Sequence, residues 1–315
     1  RAHELEWPGH VVVVAHRTPS RIPVTRAGTT VGWVTAAGHE TGRETTDLSG
    51  SFPRPPGELP EVALLHTQVR TARGAREHEP YAPSVLEHLR RSGFDYWALG
   101  HVHTRQALST DPPIHYPGNL QGRTPRETGP RGGLLVDLEN RDDPRVEFRA
   151  FAPIRWETLE VEGLEDAHTL EALVSRVRRA WDAERSSDAG PAAADWIVRV
   201  RLRGPTPLWR VLARSEERRV LADELGATLD ALDVVVEAPA VHPVVPVEEH
   251  RAREDVLGEA LRLVSLVRSG HEPPPPHLDL VGPEEDEEFR EDGYVRSLLE
   301  DAEGEILARL LRGED

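Results

Sequence analysis

Short apolar runs alternate with polar, Gly-rich and Pro-rich segments through the first half of the chain. The runs that are rich in β-branched and aromatic residues lie at 11–15, 29–35, 61–66, 94–100, 132–138 and 145–151. Runs of this kind, bounded by turn residues, indicate strands. The segment 84–92 places its apolar residues on one face and ends before Gly93, which predicts a helix. The pattern therefore predicts an α/β domain over residues 1–152.

A second pattern begins at residue 153 and predicts a small, separate α/β domain up to residue 245. Its order is strand, helix, strand, helix and strand, which is typical of α/β architecture. The predicted elements are 156–163, 166–184, 195–204, 215–226 and 232–238. Residues 246–315 predict a helical acidic tail. The Pro-rich segment 272–277 interrupts it and is typical of a stiff, extended linker.

The composition excludes some kinds of metal site and bears on which partners the protein could have. The chain has 315 residues and no cysteine, which excludes disulfides and thiolate metal sites. The net charge is −17, but residues 272–315 hold 15 acids against 4 arginines, so acidity does not exclude a nucleic-acid partner elsewhere. The apolar runs are too short to span a membrane, and no signal segment opens the chain. We expect a cytoplasmic protein without a membrane partner.

Histidines follow two of the predicted strands. His66 ends one of them, and His101 and His103 follow the next in an H-x-H spacing that can aim two rings at one ion. Parallel strands bring their carboxyl ends to one edge of a sheet, so the three imidazoles are expected to converge there. Three histidines could also close a single zinc site with an open fourth position. An isolated H-x-H is common by chance, and only its combination with His66 strengthens the metal hypothesis.

A Gly-rich loop with several arginines follows the histidines. Asn119, Arg123 and Arg126 lie within it, with Arg131 at its end. Backbone amides and guanidinium groups are suited to phosphate oxygens. An ordinary polar loop is the alternative for such a sequence.

Four segments resemble later motifs of the bacterial SbcD/YhaO-type DNA-repair exonucleases, which are calcineurin-like metallophosphoesterases. They are LLHTQV, HEPYAP, FDYWALGHVHTRQAL and YPGNLQGRTPRETGPRGGLLVDL. The resemblance is close over residues 1 to about 150 and loose over the following domain. The fold that it implies is the later part of a calcineurin-like metallophosphoesterase β-sandwich flanked by helices. A small α/β capping domain and a helical acidic tail would follow it.

The resemblance also implies roles for these residues. His66 and His101 would bind one metal ion and His103 a second, usually manganese, with zinc as the alternative. Two such ions activate water for in-line attack on a phosphodiester. The substrate would be DNA. The tail would bind an SbcC-like coiled-coil ATPase, and a homodimer is a further expectation.

The early motifs of that family, D-x-H, GDxxD and GNH(D/E), do not occur ahead of the later motifs in this chain. We therefore expect a phosphoesterase that lacks about its first third and that does not hydrolyse DNA by itself. No catalytic residue is identified in it. Two alternatives stay open: a non-catalytic DNA- or protein-binding scaffold module, and a metallophosphoesterase that acts on small phosphodiesters.

Overall fold

The computed structural model describes residues 6–42, 44–73, 81–141, 143–187, 195–273, 299 and 302–311. These residues divide into two compact units. The first comprises the described residues up to Arg155, and the second begins at Trp156. The described residues after 246 group with the second unit. Within these ranges, none of the helices has both the length and the apolar character needed to cross a membrane.

The first unit is mixed α/β. Its elements in chain order are β1 (Ser20–Arg26), β2 (Thr29–Ala37), β3 (Glu61–His66), β4 (Gln68–Val69), β5 (Pro83–Ser84), α1 (Leu86–Arg91), β6 (Tyr96–Gly100), β7 (Gln106–Thr110), β8 (Pro113–Tyr116), β9 (Gly132–Asp137) and β10 (Arg145–Ala150). A six-stranded sheet has the order β1-β2-β3-β6-β8-β7. Its inner strands β2, β3, β6 and β8 are parallel, while β1 and β7 pair antiparallel at the edges. The predicted hairpin is the antiparallel pair β9 and β10.

Strands β3 and β6 each bury the side chains of one sheet face in the hydrophobic core. Ala63 and Leu65 of β3, and Trp97 and Leu99 of β6, are buried there because alternate side chains of a strand point to the same face. Helix α1 connects β3 with β6, as a parallel crossover requires. The indole N–H of Trp97 donates to the Leu89 carbonyl of α1 at 3.1 Å. This packing fixes the two strand ends that carry the histidines.

The strand predicted at residues 11–15 is wrong. This segment has no regular secondary structure, and Val12 is 65% exposed. A backbone bond from Gly38 N to the carbonyl of His16 lies at its end, and Val11 N donates locally to the carbonyl of Pro8. Apolar, β-branched residues favour a strand only where a neighbouring strand supplies a ladder of hydrogen bonds, and no such ladder occurs among the described residues.

The second unit follows the predicted alternation of strands and helices. Its elements are β11 (Ile154–Val161), within which the unit begins at Trp156, followed by α2 (Leu170–Ser187), β12 (Asp195–Pro205), α3 (Trp209–Leu212), α4 (Ser215–Leu229), β13 (Asp233–His242), α5 (Val247–Arg251), α6 (Val256–Arg268) and α7 (Ala302–Leu310). The sheet order is β11-β12-β13, and β12 runs parallel to β13. Trp181 of α2 packs edge-on against Trp196 of β12, with ring centroids 5.1 Å apart. Most of the predicted linker, residues 274–277, falls outside the described residues.

Candidate metal and phosphate site

The pairing of β3 with β6 places two of the predicted histidines side by side. The strands are parallel, and His66 is in register with Gly100. His101 therefore follows directly beside His66 at the carboxyl edge of the sheet. This is the edge where open α/β sheets build their binding sites.

The two rings are in direct contact. His66 Nε2 lies 3.3 Å from His101 Nδ1, and the rings meet edge to face. A Cβ atom at Gly100 would come within 2.9 Å of His66 Nδ1, so the glycine leaves room for the ring. His101 has a φ angle of 109°, which L-residues rarely adopt. Strain of this kind occurs where the surrounding structure holds a side chain in one direction.

Two further residues join this pair, and sequence reasoning assigned them no role. His39 Nδ1 lies 2.8 Å from the Tyr81 hydroxyl, and Tyr81 stacks on His101 with ring centroids 5.6 Å apart. The His39 ring also packs edge-on against His66. His39 follows β2, which is parallel to β3. A histidine after a third parallel strand was the signal that could have found it.

The environment keeps His66 neutral. Desolvation, followed by repulsion from His101, His39 and His103, lowers the pKa of His66 to about 4, although the residue is exposed by its surface area. Burial also lowers the pKa of His39, against the opposing effects of a backbone contact with His66 and of the charge on Glu44. Neutral imidazole is the form that binds metal ions.

His103 makes a separate set of contacts. Its Nδ1 lies 2.8 Å from the Glu127 carboxylate, and its Nε2 lies 3.4 Å from Nη2 of Arg123. Burial by itself would raise the pKa of Glu127. The hydrogen bonds from Arg123 N and His103, with the charges of His103 and Arg131, outweigh burial and lower that pKa. Glu127 was not identified from the sequence, since an acidic residue in a polar loop gives no distinctive signal.

The predicted phosphate loop lies against His103. Asn119 donates from Nδ2 to Glu127 at 2.6 Å, and Arg131 donates from Nη1 to the His103 carbonyl at 2.8 Å. Arg123 is exposed, with its guanidinium beside the His103 ring. The structure therefore places Asn119 and Arg123 next to His103 and its partner Glu127. Arg126 lies on the same loop and is exposed to solvent.

The donor set supplies only part of a metal site. Over the part of the chain that the structure describes, no group of three or more His, Asp, Glu or Cys side chains is arranged around one ion position. His66 and His101 offer two imidazole nitrogens, and the His103 ring contacts Glu127 and Arg123. Two neutral imidazoles do not complete the ligand set of two divalent ions. The described part of the chain does not by itself fit the predicted two-metal centre.

Comparison with curated proteins gives one informative relative. Over 206 residues, the chain is 30% identical to a Bacillus subtilis (strain 168) protein described as uncharacterized metallophosphoesterase YhaO. The match covers 65% of this chain and 48% of that protein, so the chain spans about half the length of the curated relative. No protein-family model matches the chain. The similarity supports the metallophosphoesterase superfamily, and the mixed α/β fold with its large central sheet is consistent with the predicted calcineurin-like metallophosphoesterase fold.

Proposed function

We propose that this chain is part of a metal-dependent phosphodiesterase that acts on DNA. The observation that carries the proposal is the contact between His66 and His101 at the ends of adjacent parallel strands. A loop with Asn119 and Arg123 is bound to the neighbouring His103. Imidazoles beside an arginine-bearing loop suit a phosphodiester held next to metal ions. Similarity to the Bacillus metallophosphoesterase supports the phosphoesterase class.

In this proposal His66 and His101 would hold one manganese ion and His103 the other. The ions would supply an activated water and neutralise charge on the phosphate. Carboxylate ligands are needed as well, because imidazoles leave two divalent charges uncompensated. We therefore propose that the 315-residue chain alone does not turn over DNA. A complete two-metal centre needs further anionic ligands.

The test compares the full-length gene product with the 315-residue chain. Both would be incubated with Mn²⁺ and linear duplex DNA, and in parallel with bis(p-nitrophenyl) phosphate. We expect DNA hydrolysis by the full-length protein, loss of it in His101→Ala, and none by the chain alone. Hydrolysis of only the small ester would support the small-phosphodiester alternative. Salt-dependent DNA binding by a full-length protein without hydrolysis would support the scaffold alternative.

We also propose that the C-terminal helices bind a coiled-coil ATPase. Helix α6 exposes Leu263 and Leu266, at 39% and 38%. Apolar side chains on one helix face suit another helix as partner. Co-purification with the ATPase should be lost in a Leu263→Glu, Leu266→Glu variant. Retention of the ATPase by that variant would contradict this surface.

A further inference from the structure

Glu127 gathers donors from three separate places. Its Oε1 atom is contacted by His103 Nδ1 at 2.8 Å and by Asn119 Nδ2 at 2.6 Å. Its Oε2 atom accepts from the backbone N–H of Arg123 at 2.7 Å. The side chain is 14% exposed. An acidic group buried to this degree normally needs several donors, and Glu127 has them.

The chemistry of the partners fixes which nitrogen of His103 carries the proton. An ionised carboxylate only accepts hydrogen bonds, so the Nδ1 atom facing Glu127 must be the donor. A guanidinium only donates, so the Nε2 atom facing Arg123 must be the acceptor. A doubly protonated ring would set an N–H against the guanidinium. Both contacts therefore favour hydrogen on Nδ1.

The backbone of His103 is held independently of its ring. Its carbonyl accepts from Arg131 Nη1 at 2.8 Å and from Asn119 N at 3.3 Å. The turn that brings Asn119 there needs Gly118, which has a φ angle of +78° and whose Cβ would meet the His103 carbonyl at 2.8 Å. The ring is thus anchored by Glu127 on a backbone that is already fixed.

We propose that Glu127 is a positioning residue. It holds His103 in the Nδ1–H tautomer, with the Nε2 lone pair presented beside Arg123, and it binds the loop 119–127 to the same imidazole. Carboxylates that accept from one ring nitrogen of a histidine orient the other nitrogen for its ligand. The use of Nε2 by a metal ion rests on the proposed function and requires Arg123 to move off that atom, whereas the position of the hydrogen on Nδ1 does not.

The variant Glu127→Gln tests whether the carboxylate keeps the hydrogen on Nδ1 of His103. A glutamine has one acceptor oxygen, while three donors face the two oxygens of the native carboxylate. If the oxygen stays on Arg123 N, the amide N–H₂ faces His103 Nδ1, and the ring must move its proton to Nε2. If the oxygen stays on His103, the bond to the Arg123 amide is lost.

The readout is long-range ¹H–¹⁵N correlation NMR of the full-length protein at neutral pH, without added metal. His103→Gln would assign the ring signals. We expect the Nδ1–H pattern in the native protein. In Glu127→Gln we expect either the Nε2–H pattern or a shifted Arg123 amide signal. The matched control is Glu139→Gln, which changes an exposed glutamate of the same unit and should alter neither signal.

A native His103 with its proton on Nε2, or on both nitrogens, would overturn the proposal. So would a Glu127→Gln variant with both signals unchanged. If that variant does not fold, Glu127→Asp is the second test. It keeps the charge but shortens the side chain by one methylene, so a mixture of tautomers is expected, and an unaltered Nδ1–H pattern would again overturn the proposal.

Mn²⁺ affinity should fall about 10- to 100-fold in folded Glu127→Gln. A native protein that binds no Mn²⁺ but shows the Nδ1–H pattern would contradict the proposed function and leave the positioning role intact.

Discussion

His66 Nε2 and His101 Nδ1 lie 3.3 Å apart at the carboxyl ends of two parallel strands that are adjacent in the sheet. The strand register brings the residues together, and the absence of a side chain at Gly100 leaves room for the His66 ring. The positive φ angle of His101 turns its ring toward His66. A metal-binding role would explain why the chain retains a strained residue at this position.

Gly100→Ala should weaken metal binding with little effect on folding. The new methyl group would come within 2.9 Å of His66 Nδ1 and push the ring away from His101. Disturbing the orientation of a metal ligand typically costs about 10- to 100-fold in affinity. Zn²⁺ titration calorimetry of the 315-residue chain is the measurement, since imidazole favours Zn²⁺ over Mn²⁺. Gly50→Ala is the control because a Cβ there meets nothing within 4 Å. Equal Zn²⁺ affinity in both variants would contradict the role of Gly100.

His101→Gly and His101→Ala should differ in stability even though both remove the imidazole. Glycine adopts a φ angle of 109° without steric cost, whereas alanine keeps the strain. We expect His101→Gly to be more stable than His101→Ala by about 1 kcal/mol, measured as the free energy of urea unfolding. The same pair of substitutions at His88, a helical residue of α1, should give the opposite order. An alanine variant at least as stable as the glycine variant would show that residue 101 is not strained.

The adjacency of His66 and His101 could be predicted from the sequence because each feature that specifies it lies within a short segment of the chain. Two apolar runs, a helix of suitable length between them and a histidine after each run are enough to specify a parallel crossover with neighbouring ends. The alternation of Trp196, Val198, Val200 and Leu202 likewise predicted a strand with one buried face.

Features that depend on tertiary partners could not be predicted. Residues 11–15 have a strand-like composition but no ladder of hydrogen bonds in the described structure. The short strands β7 and β8 have weak patterns and are held by each other and by β6. The contact between Glu127 and His103 forms only because a turn at Gly118 brings the loop back to His103. Loop chemistry of this kind leaves no periodic signal.

Acid should destabilise the first unit through Glu44. Hydrogen bonds from Thr46 and Thr45 and the charge of Arg17 lower the pKa of Glu44, with the Thr46 backbone as the largest cause and burial opposing them. A carboxylate with a lowered pKa in the folded state stabilises the fold above its unfolded pKa, about 4.3, and loses that contribution as the pH falls through the folded value.

Glu44→Gln should therefore flatten the dependence of the urea midpoint on pH below about pH 5. It should also lower the midpoint at pH 7, because the ion pair with Arg17 at 3.0 Å is lost. Circular dichroism from pH 7 to pH 3 is the measurement. Glu58→Gln, at an exposed position, should leave the curve unchanged. A native slope retained in Glu44→Gln would assign the acid sensitivity to other groups.

Arg123→Ala should reduce the salt dependence of DNA binding by the full-length protein. The guanidinium is exposed beside His103, and only the backbone N–H of Arg123 contacts Glu127, so alanine keeps the loop bond and removes the charge. Loss of one phosphate contact lowers the slope of log K against log [salt] by about one unit. Arg123→Lys should restore most of the slope, and Arg145→Ala, at an exposed position on β10, is the control. Fluorescence anisotropy with duplex DNA between about 50 and 200 mM salt gives the slopes. A slope in Arg123→Ala equal to that of the native protein would mean that Arg123 does not contact a phosphate.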